Sequence, residues 1–406
     1  MYPSIKKGFN LRNLEKYTLY DYKNEEIYNL DEEAFRAARF FTGRWNVDEI
    51  SIQTGIDANK IKEFTEELIQ NDIIIDKKIP NGKLNLDDET QKSPIPSLRS
   101  ILMHITQRCN LKCVHCYLGE KKALDLPLNL IKTIIPEFYK LQGLRVLISG
   151  GEPLMHPQFR ELLIFLGQFP LRIMVLTNGY LITPDITKFI KNYVHEVQIS
   201  IDGIESHNEF RADKNAFSQA INAIKLLKNA EIPVEVATMI HKKNLDELEQ
   251  LSRLLKKLDV ENWTLDVPIL TGDLEKNINF VPDLEKAVEA LKKYGWGGFP
   301  EEESSIFACG SHVCAIMPDG NVSKCQFFGD QPVGNLNNNS LLDCWKIIQK
   351  NYIWKQEDLQ CAKINCPYLE ECKGGCRYRA YTLTKDMLGV DKLRCHSYNF
   401  QYNHKK

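Results

Sequence analysis

Residues 98–117 read LRSILMHITQRCNLKCVHCY, and this stretch decides the fold. It opens as a short apolar, β-branched run and breaks into a polar loop carrying Cys109, Cys113 and Cys116, with Tyr117 next. Residues 127–142 then show helical apolar spacing. The alternation repeats. LRVLISGG (144–151) precedes a helical stretch at 157–168, and RIMVLTNG (172–179) precedes one at 184–192. EVQISIDG, PVEVATMI and NWTLDVPI continue the series. Six strand-then-helix units predict a parallel sheet with helices outside it, an α/β fold in the form of a partial (β/α)6, TIM-like barrel. In such barrels the chemistry sits on loops at the C-terminal ends of strands. Polar or glycine-rich tips occur at those places: TQRCNLKCVHC, SGGEP, TNG and SIDG.

Toward the N-terminus the rhythm differs. Residues 17–31, YTLYDYKNEEIYNLD, alternate around a polar KNEE turn and predict a hairpin. DEEAFRAARFFTG opens on acidic residues and stops at Gly43; VDEISIQTG and DANKIKEFTEELIQND predict two further short helices before the β-branched IIID. A hairpin and three helices form a winged-helix-like module. Its apolar positions, Phe35, Phe40, Val47, Ile50, Ile61, Phe64, Leu68 and Ile73, are expected in the core. The polar segment NGKLNLDDETQKSPIP, stiffened by Pro94 and Pro96, is a linker. Beyond residue 300, CGSHVCAIMPDGNVSKCQFF predicts a hairpin around Asp319-Gly320, and LLDCWKIIQKN a short helix with Cys344 on its apolar face. The remainder of the chain is loop-rich and has too few apolar residues to hold itself together without metal. The expected domains are 1–93, 94–300 and 301–406.

The whole chain has 406 residues, 43% hydrophobic and 26% charged, an ordinary globular composition. A formal charge of −2 lacks the basic footprint of a nucleic-acid binder. No uninterrupted apolar run reaches the roughly 18 residues of a membrane span, and MYPSIKKGFNLRNLEKY lacks a secretory h-region. A cytoplasmic protein is expected. Twelve cysteines are the unusual feature, and none precedes residue 109. In a reducing compartment, thiols in tight groups read as metal ligands. The CxxxCxxC loop can hold three irons of a cubane [4Fe–4S] cluster and leave the fourth open, as a reaction requires. The competing reading is a zinc site, with His115 or His104 as fourth ligand.

CxxxCxxC followed by an aromatic residue resembles the signature of radical S-adenosylmethionine (SAM) enzymes, and the resemblance covers residues 98–300. It implies a cluster on Cys109, Cys113 and Cys116 whose open iron chelates SAM, and reductive cleavage to a 5′-deoxyadenosyl radical. The electron would come from a reductant such as flavodoxin or ferredoxin. Tyr117, Gly150, Gly151, Glu152, Asn178, Ser200, Asp202 and Arg211 stand where the family binds SAM: GGEP near the methionyl ammonium, Arg211 near the carboxylate.

The later cysteines resemble the SPASM extension of that family, which binds two auxiliary [4Fe–4S] clusters. By that pattern Cys309, Cys314, Cys325 and Cys376 hold the first, and Cys361, Cys366, Cys372 and Cys395 the second. The spacing departs from the family at Cys361–Cys366, with four intervening residues where two are usual. In related sulfatase-maturating enzymes an Asp follows the hairpin's last cysteine; here Gln326 stands there and cannot act as a base, which argues against that activity. No general base is identified. Residues 17–76 resemble PqqD-like recognition elements, which bind leader peptides of ribosomally made precursors. Together these resemblances imply a peptide maturase that cross-links or oxidises a precursor peptide, with no nucleic-acid or membrane partner. The alternatives are a radical SAM enzyme acting on tetrapyrrole side chains in haem synthesis, and a non-catalytic iron–sulfur scaffold.

Overall fold

The computed structural model describes residues 1–81, 92–297, 306–308 and 310–400. Most of the expected linker (82–91) and Cys309 therefore lie outside the described residues. The chain forms two compact units. The first comprises Met1–Ser100, Ile135–Arg145 and Gly167–Arg172, and the second comprises the remainder.

In the first unit β1 (Pro3–Ile5) pairs antiparallel with β5 (Ile74–Asp76). β2 (Phe9–Asn13), β3 (Tyr17–Asp21) and β4 (Glu26–Leu30) form a separate antiparallel sheet in that order. Leu19 faces Leu11 on one side and Tyr28 on the other. The β3–β4 hairpin is the expected one; β1 and β2 are additional. Helices α1 (Glu32–Ala38), α2 (Val47–Thr54) and α3 (Ala58–Gln70) each start on an acceptor side chain. Asp31 caps α1, Asn46 and Glu49 form a reciprocal capping box on α2, and Asp57 caps α3. Gly55, at φ 70°, ends α2 in the left-handed region where glycine costs least. Phe35, Val47, Ile50, Ile61, Leu68 and Ile73 are buried in one cluster with Leu11 and Leu19, and Phe40 and Phe64 pack against it.

The same unit buries charge that no pattern announced. Arg12 is fully buried, donates to the Gly143 and Pro170 carbonyls at 3.1 and 3.2 Å, and lies 4.7 Å from the Tyr139 ring centre. Glu25 pairs with both Arg145 and Arg172.

The second unit carries most of the barrel. Strands β6 (Ser100–His104), β7 (Arg145–Ser149), β8 (Arg172–Thr177), β9 (Glu196–Ser200), β10 (Val234–Met239) and β11 (Asn262–Asp266) lie side by side in strict order. Between and after them run α4 (Leu128–Lys140), α5 (Phe159–Leu166), α6 (Pro184–Ile190), α7 (Ser206–Phe210), α8 (Ala216–Asn229), α9 (Leu248–Lys257) and α10 (Leu284–Lys293). The pairs β8–β9, β9–β10 and β10–β11 are parallel. All six expected strand–helix units are present. The sheet is longer than its expected six strands, however. β12 (Val313–Ile316), β13 (Asn321–Ser323) and β14 (Gly334–Asn335) extend it beyond β6 to nine strands, with β12–β13 an antiparallel hairpin as expected. After α11 (Leu341–Tyr352) the chain is more helical than its composition suggested. α12 (Gln360–Lys363), α13 (Leu369–Cys372), α14 (Arg377–Thr384) and α15 (Lys392–Ser397) are short, and lysines at φ 53° and 59° end α13 and α14.

Candidate active site and cysteine-lined cavity

The cysteine loop comes directly after β6, at the end of the strand where barrel chemistry is expected. Backbone contacts pin it from several tips. Val114 N–H donates to the Phe210 carbonyl at 3.0 Å, Asp273 N–H donates to the Cys116 carbonyl at 2.9 Å, and Asn277 Nδ2 donates to the Val114 carbonyl at 3.1 Å. A Cβ on Gly272, at φ 59°, would come within 2.4 Å of the Cys116 carbonyl oxygen. Glycine is therefore required there. Gly272, Asp273 and Asn277 were missed in the sequence, although they come after β11 and the rule that singled out the other tips applies to them.

Gly150 and Gly151 come after β7 and press on the same loop: a Cβ on either would meet the carbonyl oxygen of Thr106 at 2.5 Å or of Arg108 at 2.3 Å. Glu152 is fully buried. Its carboxylate accepts from Thr177 Oγ1 at 2.7 Å, Asn178 N–H at 3.0 Å and Leu154 N–H at 3.2 Å, so it binds the β7 and β8 tips together. Burial pushes its carboxyl up to about 7, against these donors. Asn178 also donates from Nδ2 to Asn110 of the cysteine loop at 2.9 Å. Ser200 ends β9 opposite Ala237.

Asp202 is fully buried and accepts from Arg211 Nε at 2.6 Å and from Met239 N–H at 2.9 Å. Burial alone would raise its carboxyl, but Arg211 outweighs burial and holds it well below the usual carboxylate range. Arg211 Nη1 lies 3.8 Å from Cys113 Sγ, so one guanidinium touches both the aspartate and a thiol. Tyr117 places its hydroxyl 3.2 Å from Nε2 of His104, whose burial pushes the imidazole down to about 4. His115, a fourth ligand in the zinc reading, instead stacks on Phe210 with ring centres 3.9 Å apart. His241 stacks against Phe210 at 4.0 Å. Phe210 was not singled out in the sequence.

In the C-terminal part, Cys361, Cys366, Cys372 and Cys395 line a single cavity together with Tyr368, Asp391, Arg394 and Tyr398. α12, α13 and α15 each contribute one of these cysteines. The wide Cys361–Cys366 spacing is absorbed by the end of α12 and the turn after it, where Asn365 takes φ 50°. Cys325 and Cys376 are near each other, and burial pushes the Cys325 thiol up to about 11, with Cys376 adding to the rise. Cys314 and Cys344 are both fully buried. Burial raises the Cys314 thiol to about 12, and Cys344 raises it while Lys324 lowers it. Buried thiols with raised values bind metal by giving up protons as the metal enters.

Residues 103–255 match the Radical SAM superfamily. The antilisterial bacteriocin subtilosin biosynthesis protein AlbA of Bacillus subtilis is 28% identical over 304 residues, 69% of this chain and 67% of that protein. An AdoMet-dependent heme synthase of Methanosarcina barkeri is 26% identical over 340 residues, 71% of this chain and 94% of that protein. The crystal structure of Streptococcus suis SuiB bound to precursor peptide SuiA aligns with a TM-score of 0.70 at 16% identity, over 96% of this chain and 98% of that one. That last likeness is one of fold. Residues 103–255 thus form a radical SAM domain, of a superfamily whose cofactors are a [4Fe–4S] cluster and SAM. The donor types suit such a cluster: one loop carries three thiols, with His115 stacked on Phe210 and an arginine beside Cys113. Among the described residues no helix is long and apolar enough to cross a membrane.

Proposed function

We propose that this protein is a peptide maturase that modifies a ribosomally made precursor. Cys109, Cys113 and Cys116 would hold the cluster, and with SAM that cluster supplies a 5′-deoxyadenosyl radical. The chain's own residues do the rest. Gly150 and Gly151 keep the β7 tip close to the loop, Glu152 and Asn178 join neighbouring tips, and Arg211 sets a fixed cation beside Cys113. Cys361, Cys366, Cys372 and Cys395, with Cys325, Cys376, Cys314 and Cys309, would hold two auxiliary clusters that carry electrons from the modified peptide. A reductant such as flavodoxin or ferredoxin would supply the first electron. A reducing cytoplasm suits so many thiols.

The observation that carries this reading is the pairing of a three-thiol loop after β6 with a separate four-thiol cavity in one chain. The peptide is supported by the first unit: β4 ends its sheet, with Ile27 and Tyr28 exposed by 41% and 36%. Such an edge takes an added strand. AlbA's role in making a bacteriocin and SuiB's bound precursor peptide support the same substrate class. A second reading, tetrapyrrole modification, is favoured by the near-complete coverage of the M. barkeri heme synthase. The full-length protein, reconstituted without oxygen, is mixed with SAM, reductant and the peptide encoded by a neighbouring short reading frame. Mass spectrometry should show a peptide product lighter by the hydrogens removed, together with 5′-deoxyadenosine, and Cys113→Ala should abolish both. An unchanged peptide alongside a converted porphyrin would replace the first reading with the second.

A further inference from the structure

The four-thiol cavity contains a carboxylate whose hydrogen bonds lead out of it. Asp391 is fully buried and lines the cavity beside Cys361, Cys366, Cys372 and Cys395. Its Oδ2 accepts from Cys376 N–H at 2.8 Å and from Arg379 Nη1 at 3.2 Å. Arg379 extends from there to Asp266 at the end of β11, 2.7 Å away. The Oδ1 of Asp391 is buried without a hydrogen-bond partner among the described residues. Asp391 also stands at the N-cap of α15, where an aspartate ordinarily accepts from a helix amide, yet its side chain makes no such bond. Its backbone carbonyl accepts from Cys395 N–H at 3.0 Å. One residue thus touches the backbone of Cys376 and of Cys395, which belong to different expected cluster sites. The other charged group on the cavity wall is Arg394, whose charge favours the Cys372 thiolate.

Arg379 and the Cys376 amide compensate one oxygen of this buried carboxylate, but the bare Oδ1 is costly and no helix cap offsets it. A fixed negative charge in a low-dielectric wall does have one strong consequence, which is to oppose the arrival of an electron nearby. Charge and burial around an iron–sulfur site are among the levers that set its potential. We infer that Asp391 is the positioning residue that sets the reduction potential of the second auxiliary site. Arg379 anchors its carboxylate, and Asp391 keeps the midpoint there lower than the thiols and Arg394 alone would give. This rests on the reading of Cys361, Cys366, Cys372 and Cys395 as cluster ligands.

The test is spectro-electrochemical titration of the reconstituted full chain, with iron content measured in parallel. Asp391→Asn should shift one auxiliary midpoint to more positive potential, leave the SAM-site midpoint in place and retain iron. Arg379→Gln, which leaves the carboxylate uncompensated, should move the same midpoint the opposite way. A midpoint unmoved in iron-replete Asp391→Asn overturns the inference, as does selective loss of one cluster's iron, which marks a merely structural role. Should Asp391→Asn fail to fold, Asp391→Ser, which also removes the charge, takes its place: a shift of the same midpoint to more positive potential with iron retained supports the inference, and any other result overturns it. A wild type without auxiliary-cluster signals would instead overturn the underlying reading, and the inference with it.

Discussion

Two regions of this chain keep their shape by different means. The first unit has a contiguous apolar cluster running from Leu11 to Ile74, and helices closed by Asp31, Asn46 and Asp57. Among the described residues, the cysteine-rich segment from α12 to α15 packs in small clusters around Leu359 and around Phe328 and Tyr378. Within it Arg377 is buried and donates to the carbonyls of Gly374, Met387 and Gly389. A segment tied by thiols and buried guanidiniums depends on whatever the thiols bind. The first unit does not.

Removing the metal should therefore separate the two regions most sharply. Anaerobic chelation is expected to strip amide protection from α12 to α15 while α1 to α3 keep theirs, read by hydrogen exchange with mass spectrometry. Equal loss in both would erase the distinction. Next in size, Cys361→Ala should lower iron by about four per chain and stop peptide product, yet leave 5′-deoxyadenosine release in place. Parallel iron and nucleoside assays would show whether that cavity is separable from the SAM site.

The barrel mouth lies between these extremes, because it depends on buried charge. Arg211→Met leaves the Asp202 carboxylate buried without its cation and should cost about 3–5 kcal/mol in denaturant unfolding. Asp202 is held below its ordinary range, so it titrates lower in the folded than in the unfolded chain. The stability from the pair is then complete above about pH 4 and is lost as pH falls further. Asp202→Asn should remove that part of the acid slope. The smallest effect belongs to the first unit. Asn46→Ala should lower its stability by about 1 kcal/mol, visible as a modest drop in Tm with iron content unchanged.

The barrel was legible because each strand and helix carries its own periodicity, and because CxxxCxxC, GGEP and TNG mark the strand ends. The hairpin and helices of the first unit were legible for the same reason. The hidden part is non-local. The pairing of β1 with β5 joins residues about 70 positions apart, and that of β6 with β12 joins residues more than 200 apart; neither strand of such a pair encodes its partner. Arg12, Glu25 and Asp391 look like ordinary surface charges in the sequence, and only their partners make them interior groups. Phe210 lies outside any cysteine motif, yet two histidines stack on it. The short helices after residue 359 were missed because segments of four to eight residues are too brief for periodicity to register.

The continuation of one sheet from β6 into β12 has an engineering consequence. Side chains alternate across a strand, so deleting a single residue within β12 would turn Cys314 to the opposite face. Grafts, tags or domain insertions within the strand should be rejected for that reason.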